Sequence, residues 1–307
     1  MLIVGTTAHL EDLDRSYTYA EDVSVTALAF GSFTGGVGSL LPSSPRPVWS
    51  ILDRERIVEL VEFDIAPLVR LPTATAQSLA VSPGGSLVVG MEGAHLLTVS
   101  SDGVISELGS FDTVAGRDDW HNPAGPAPDL RSVAVTSADV WFAGVHVGGL
   151  WRSKDRGESW QNVIPPEADV HEVVAGEGDC VAVAAAVGFG WSEDGGDSWQ
   201  WTTDGLHAGY SRAVALDGET AFVTASTGPE TSDGRLYRCR LGDRFEPCSG
   251  GLPPSFPFNL DTGSLAASAG RVALGTPSGL VFRSSDNGST WSLAADRMRH
   301  VTVLRFA

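Results

Sequence analysis

The chain is almost without lysine. Lys154 is the only one among 20 basic residues, and 38 acidic residues outweigh them in a chain of 307. A net charge of −18 opposes the approach of nucleic acid or an anionic membrane surface, so neither is an expected partner. Cysteine is scarce as well. Cys180, Cys239 and Cys248 make no CxxC pair and no metal spacing. Cys180 opens an apolar run (Val181, Val183, Ala185) and reads as a small core residue. Cys239 and Cys248 flank a hairpin and could bond, although free thiols are expected in a reducing compartment. No apolar run approaches the roughly 18 residues of a membrane span. The opening stretch, Met1 to Asp14, has no basic start and soon turns acidic, unlike a secretory signal, so a cytoplasmic location is expected.

Familiar catalytic and cofactor motifs are missing too. His9, His95, His121, His146, His171, His207 and His300 form no HxH or HExxH pair. His171 and Glu172 are neighbours on an expected strand, so their side chains should point to opposite faces. The glycine-rich stretch Gly31 to Gly38 lacks the strand–turn–helix context of a phosphate-binding loop. No metal and no cofactor is therefore expected, and a metal site could arise only if the fold gathered residues from several repeats.

What the chain does have is 36 glycines, 17 prolines and many short apolar segments, the composition of strands joined by turns. The acidic, lysine-poor balance resembles that of salt-accumulating halophiles, where concentrated cations screen self-repulsion over a few ångströms. It points to a halophilic archaeal source; the alternative is an acidic protein from an arginine-biased genome.

Internal repetition is the strongest signal. Ser153-Lys-Asp155-Arg-Gly157-Glu-Ser-Trp160, Ser192-Glu-Asp194-Gly-Gly196-Asp-Ser-Trp199 and Ser284-Ser-Asp286-Asn-Gly288-Ser-Thr-Trp291 share one pattern. The first two begin 39 residues apart and the last two 92 apart, which leaves room for a degenerate copy. Leu236-Tyr237-Arg238-Cys239 supplies it, parallel to Leu150-Trp151-Arg152-Ser153 and Val281-Phe282-Arg283-Ser284. A period near 40 to 46 residues with about four apolar runs is the size of a propeller blade. Innermost strands are expected at Ser78–Val81, Ser132–Val135, Glu172–Ala175, Ala213–Leu216 and Ser264–Ala267, and more loosely at Val25–Leu28 and Val301–Leu304. The last has no blade after it, whereas Met1–Gly5 echoes the second strand Leu87–Gly90. The expected fold is thus a single all-β domain over residues 1–307. It is a seven-bladed β-propeller of four-stranded antiparallel blades, closed by the C-terminal strand joining the N-terminal blade.

The repeated motif resembles the Asp box, or bacterial neuraminidase repeat, over about residues 130 to 296. Locally its Asp can accept backbone N–H groups, its Gly can take a left-handed conformation and its Trp can pack between blades. The resemblance implies that this turn joins the third and fourth strands of a blade, opposite the usual ligand face. Ser153, Asp155, Gly157, Trp160, Ser192, Asp194, Gly196, Trp199, Ser284, Asp286, Gly288 and Trp291 are accordingly read as structural. Propellers of this kind include sialidases and other glycoside hydrolases, sortilin-type receptor ectodomains and photosystem-type assembly factors. The fold therefore leaves function open. A sialidase would need an arginine cluster and a Tyr–Glu nucleophile, but Arg46-Pro47 does not match the family's early motif. Only Tyr210 of four tyrosines falls in a loop of the ligand face.

Candidate ligand-binding residues come from the position preceding each innermost strand. These are Gln77, Arg131, His171, Arg212, and Arg299 or His300, with a gap at Gly263. Converging charges at a narrow mouth focus the field, and arginine grips carboxylate or phosphate with two hydrogen bonds. Tyr210 and the loop residues Arg117, Asp118, Asp119, Trp120 and His121 are candidate walls. The alternative is that these polar groups meet channel water or pair with Glu172, Asp129 and Asp169. The expected function is a non-catalytic cytoplasmic platform that binds a small anionic ligand or an acidic side chain of a protein partner. The competing reading is a glycoside hydrolase with two carboxylates across a cleft, Asp118 or Asp119 facing Glu172.

Overall fold

Short apolar runs separated by glycine-rich turns form seven four-stranded antiparallel sheets. The computed structural model describes residues 1–30, 47–61, 64–73, 75–123, 125 and 127–306; Gly31 to Gly38 and Arg46 lie outside them. The sheets succeed one another around a ring as a seven-bladed β-propeller. Blade 1 takes its innermost strand, Val301–Phe306, from the C-terminal end and continues with Leu2–Thr6, His9–Asp12 and Tyr17–Glu21. The innermost strands of blades 2 to 7 are Val25–Phe30, Ala76–Val81, Leu130–Val135, Val170–Ala175, Tyr210–Asp217 and Leu265–Ser268. Closure is by strand pairing, Leu2 opposite Phe306 and Val4 opposite Leu304. The Thr302 hydroxyl then donates to the Val25 carbonyl of blade 2 at 2.6 Å.

Burial falls from the second strand outward. Leu2–Thr6, Val48–Leu52, Leu87–Met91, Trp141–Val145 and Val181–Ala185 are buried at every residue, because neighbouring blades cover both faces. Such strands read as unbroken apolar runs rather than alternating ones. Outer strands such as Ser292–Ala295 are largely exposed. Where one blade's second strand meets the next blade's first, the approach is close enough to require glycine. A Cβ on Gly5 would lie 2.5 Å from Val25 Cγ1, well inside van der Waals contact.

The three motif turns join the third and fourth strands of blades 4, 5 and 7, so antiparallel order places them at the end away from where the innermost strands begin. Each serine hydroxyl accepts the glycine N–H: Ser153 from Gly157 at 2.7 Å, Ser192 from Gly196 at 2.8 Å and Ser284 from Gly288 at 2.9 Å. Each aspartate accepts a backbone N–H four residues on, at 2.8 to 2.9 Å. These bonds to side-chain hydroxyls and backbone hold Asp155 and Asp286 at about 2, and Asp194 is lowered in the same way. The glycines take φ of 88°, 83° and 75°, a region closed to most side chains. Of the three tryptophans, Trp291 is buried and donates to the Gly288 carbonyl at 3.0 Å. Trp160 and Trp199 are only half-buried.

All three cysteines are free thiols, and burial pushes Cys239 and Cys248 up to about 12.

Candidate functional site at the channel mouth

A β-bulge builds the mouth. In blades 1 to 5 the innermost strand carries one residue without a partner on the second strand, and these are Thr302, Thr26, Gln77, Arg131 and His171. In blade 6 the irregularity spans Arg212 and Ala213. A bulge re-aims its side chain, and Thr302, Thr26, Gln77 and Arg131 so placed border the channel mouth, whereas His171 is buried. The shared bulge also corrects the register read from sequence. Val301–Leu304 and Val25–Leu28 sit two residues out of step with the other repeats, so Thr302 and Thr26 are the true equivalents of Arg131. Arg299 and His300 are exposed on the approach to the strand, where His300 still borders the mouth cavity.

That cavity, about 440 Å³, is bordered by Thr26, Gln77, Arg131, His146, Asp261 and Thr302 among others. One of its lining carboxylates, Asp261, is shared by two arginines. Arg131 Nη2 lies 3.0 Å from Asp261 Oδ1, and Arg212 Nη1 lies 3.0 Å from Oδ2 and 3.1 Å from Oδ1. Burial would raise the Asp261 carboxyl, but Arg131 and Arg212 prevail and lower it. Arg212 also donates to the Tyr210 hydroxyl at 3.3 Å, and its Nε is buried without a partner. The arginines thus find Asp261, rather than the expected Glu172, Asp129 or Asp169. Gln77 instead donates to Asp129 at 2.6 Å, and Asn122 ties the same carboxylate to the long loop.

The fold gathers residues that no sequence spacing announced. His146, Asp169 and His171 bring their ligand atoms within 4.8 Å of one another. His171 is fully buried, and its Nδ1 lies 2.7 Å from the Ser211 carbonyl of the next blade. The His146 ring is lowered to about 4 by burial first and by Arg131 second, against the pull of Asp169.

Deeper in the channel the innermost strands present Ala29, Ala80, Ala134, Val174, Ala215 and Ala266 at one level, and Arg305 at the seventh place. Burial lowers the Arg305 guanidinium, which faces Glu172. Burial likewise raises Glu172 to about 7, opposed by Arg305 and by two N–H donors, Val214 at 2.9 Å and Gly263 at 3.1 Å. Glu172 therefore links three blades beside the channel.

The loop from Asp112 to Asp129 runs from the outer strand of blade 3 to the innermost strand of blade 4. Trp120 is buried there, 5.5 Å from the Phe111 ring and 5.4 Å from Trp151. Arg117 lies over Trp120 at 5.1 Å and donates to the Gly93 and Ala94 carbonyls at 2.8 Å. Both pin the loop rather than face the mouth. Asp119 and His121 border a separate cavity of about 480 Å³ with Glu167, and Asp118 is exposed. Glu172 borders the channel, so Asp119 and Glu172 line different cavities.

No protein-family model matches the chain, and no curated protein matches it. Solved structures do. A GH74 enzyme of Niastella koreensis superposes with TM-score 0.60 at 15% identity, over 95% of this chain and 46% of that one. This chain therefore spans about half that enzyme's length. The WD40 repeats of RRP9 superpose with TM-score 0.59 at 13% identity, over 100% and 89% of the two chains. YCF48 bound to D1 peptide gives TM-score 0.56 at 16% identity, over 95% and 84%. The likeness is one of fold.

Proposed function

We propose that this propeller is a non-catalytic binding platform that holds a carboxylate, from a small anion or from an acidic side chain of a protein partner, at the channel mouth. The observation that carries the reading is the seating of Arg131 and Arg212 on Asp261, each at 3.0 Å. Two guanidiniums share the single carboxylate of Asp261 there, the same contact that a bound carboxylate would make. Charge-assisted pairs of this kind are the strong ones. Two guanidiniums against the single carboxylate of Asp261 would draw an anion to this pair on a molecule whose net charge of −18 repels it elsewhere. The acidic, lysine-poor surface supports a salt-rich cytoplasm as the working environment.

The test is titration with succinate at fixed ionic strength, following the thermal midpoint. Succinate should raise the midpoint of the wild type beyond the effect of chloride, and it should not do so for the double variant Arg131→Ala, Arg212→Ala. Equal responses would remove the mouth from consideration.

A hydrolase reading has one observation of its own. Asp119 and Glu167 line the same cavity as His121 and Trp120, and paired carboxylates beside an aromatic suit a glycan. A glycosidase screen with Glu167→Gln as control tests it, and turnover that survives in the variant would set this pair aside.

A further inference from the structure

We propose that His146, Asp169 and His171 form a site for one divalent transition-metal ion at the channel mouth. His171 is the anchor. It is fully buried, and with Nδ1–H donated to the Ser211 carbonyl at 2.7 Å its Nε2 lone pair faces the cluster. A backbone carbonyl on the far nitrogen is the usual outer support of a metal-bound imidazole. Nε2 lies 3.3 Å from Asp169 Oδ2 yet makes no hydrogen bond. Asp169 Oδ1, 3.8 Å from His146 Nε2, is also buried without a partner. Leaving buried polar atoms unsatisfied is destabilising, and a single cation between the three side chains would satisfy them together.

The donor set defines the class of ion. Two imidazoles and one carboxylate suit zinc, cobalt, nickel or iron rather than calcium or magnesium, which take oxygen ligands. His146 Nε2 accepts a long bond of 3.4 Å from Arg131, which a metal would replace while Arg131 keeps Asp261. Three protein ligands would leave at least one coordination position open, and His146 borders the mouth cavity. The competing arrangement is a metal-free contact between His171 and Asp169.

The inference does not rest on anion binding, and its test uses the metal alone. Chelator-stripped full-length protein is titrated with Co²⁺ and followed by visible absorption and calorimetry, without added carboxylate. One equivalent should bind with d–d bands and no thiolate charge-transfer band. His146→Ala and Asp169→Asn should each weaken binding at least tenfold, with near-ultraviolet circular dichroism reporting that they fold. X-ray absorption on the cobalt-loaded wild type should show two imidazoles in the first shell and decides independently of any variant. Absence of binding, affinity unchanged in both variants, or a first shell without imidazole would each overturn the proposal.

Discussion

Replacing Gly90 by alanine tests how the blades are held together. Gly90 lies on the second strand of blade 3, opposite Ser78 on the innermost strand. A Cβ there would intrude on the Ser78 hydroxyl and come within 2.9 Å of Leu130 Cβ and 3.1 Å of the Leu130 carbonyl. Ser78 cannot simply turn away, because its hydroxyl donates to that carbonyl at 2.8 Å and ties blade 3 to blade 4. Leu130 is fully buried at the start of its strand, so the whole of blade 4 must move. Overpacking of this kind costs about 1–3 kcal/mol, and losing the hydrogen bond adds about 1 kcal/mol. Gly109 is the control, with nothing within 4 Å of its would-be Cβ and no left-handed φ. Gly109→Ala should be neutral or stabilise by about 0.4–1 kcal/mol through the unfolded chain. Urea unfolding followed by tryptophan fluorescence measures both. A Gly90→Ala variant as stable as Gly109→Ala would refute the close-docking argument.

Three further outcomes are expected. Trp291→Ala should cost about 3–5 kcal/mol as a buried aromatic truncation, and the half-buried Trp160 and Trp199 distinctly less; equal losses by urea unfolding would mean burial does not set their worth. With 38 carboxylates on one body, the melting point should rise from dilute buffer to molar potassium chloride as the Debye length falls from about 30 Å to about 3 Å, and equal midpoints would discard the salt-rich environment. His146 titrates at about 4 when folded against 6.5 ordinarily, so its contribution is full above pH 6.5 and is lost as pH falls through 4. Chelator-treated wild type should therefore lose about 3 kcal/mol more on acidification than His146→Asn, and parallel curves would exclude this.

Much of the ring was legible because its signals are local. The Ser–Asp–Gly–Trp turns recur in register, and Met1–Gly5 repeats the Leu87–Gly90 pattern closely enough to show where the C-terminal strand must pair. The site was harder to read. Arg131 and Arg212 could be placed at the mouth from the repeats alone, but Asp261 lies in a loop outside the repeated strands. Its role depends on a contact across 130 residues with Arg131. His146 and Asp169 sit on loops of adjacent blades, and only the ring brings them to His171. Arg305 was within reach: once the seventh strand is shifted by two residues, an arginine stands where other repeats place alanine or valine. The bulge that sets this register carries no sequence signature of its own, so Arg299 and His300 took the place of Thr302.

The arginine pair at the mouth is tested most directly by Asp261→Asn. The substitution removes the internal carboxylate while keeping an oxygen for the Thr262 N–H, now 3.1 Å away. Calorimetric titration with succinate at fixed ionic strength should then show affinity at least tenfold tighter than wild type, about 1.4 kcal/mol. That gain should disappear when Arg131→Ala and Arg212→Ala are added. Succinate affinity unchanged or weakened in Asp261→Asn would contradict carboxylate recognition at the channel mouth.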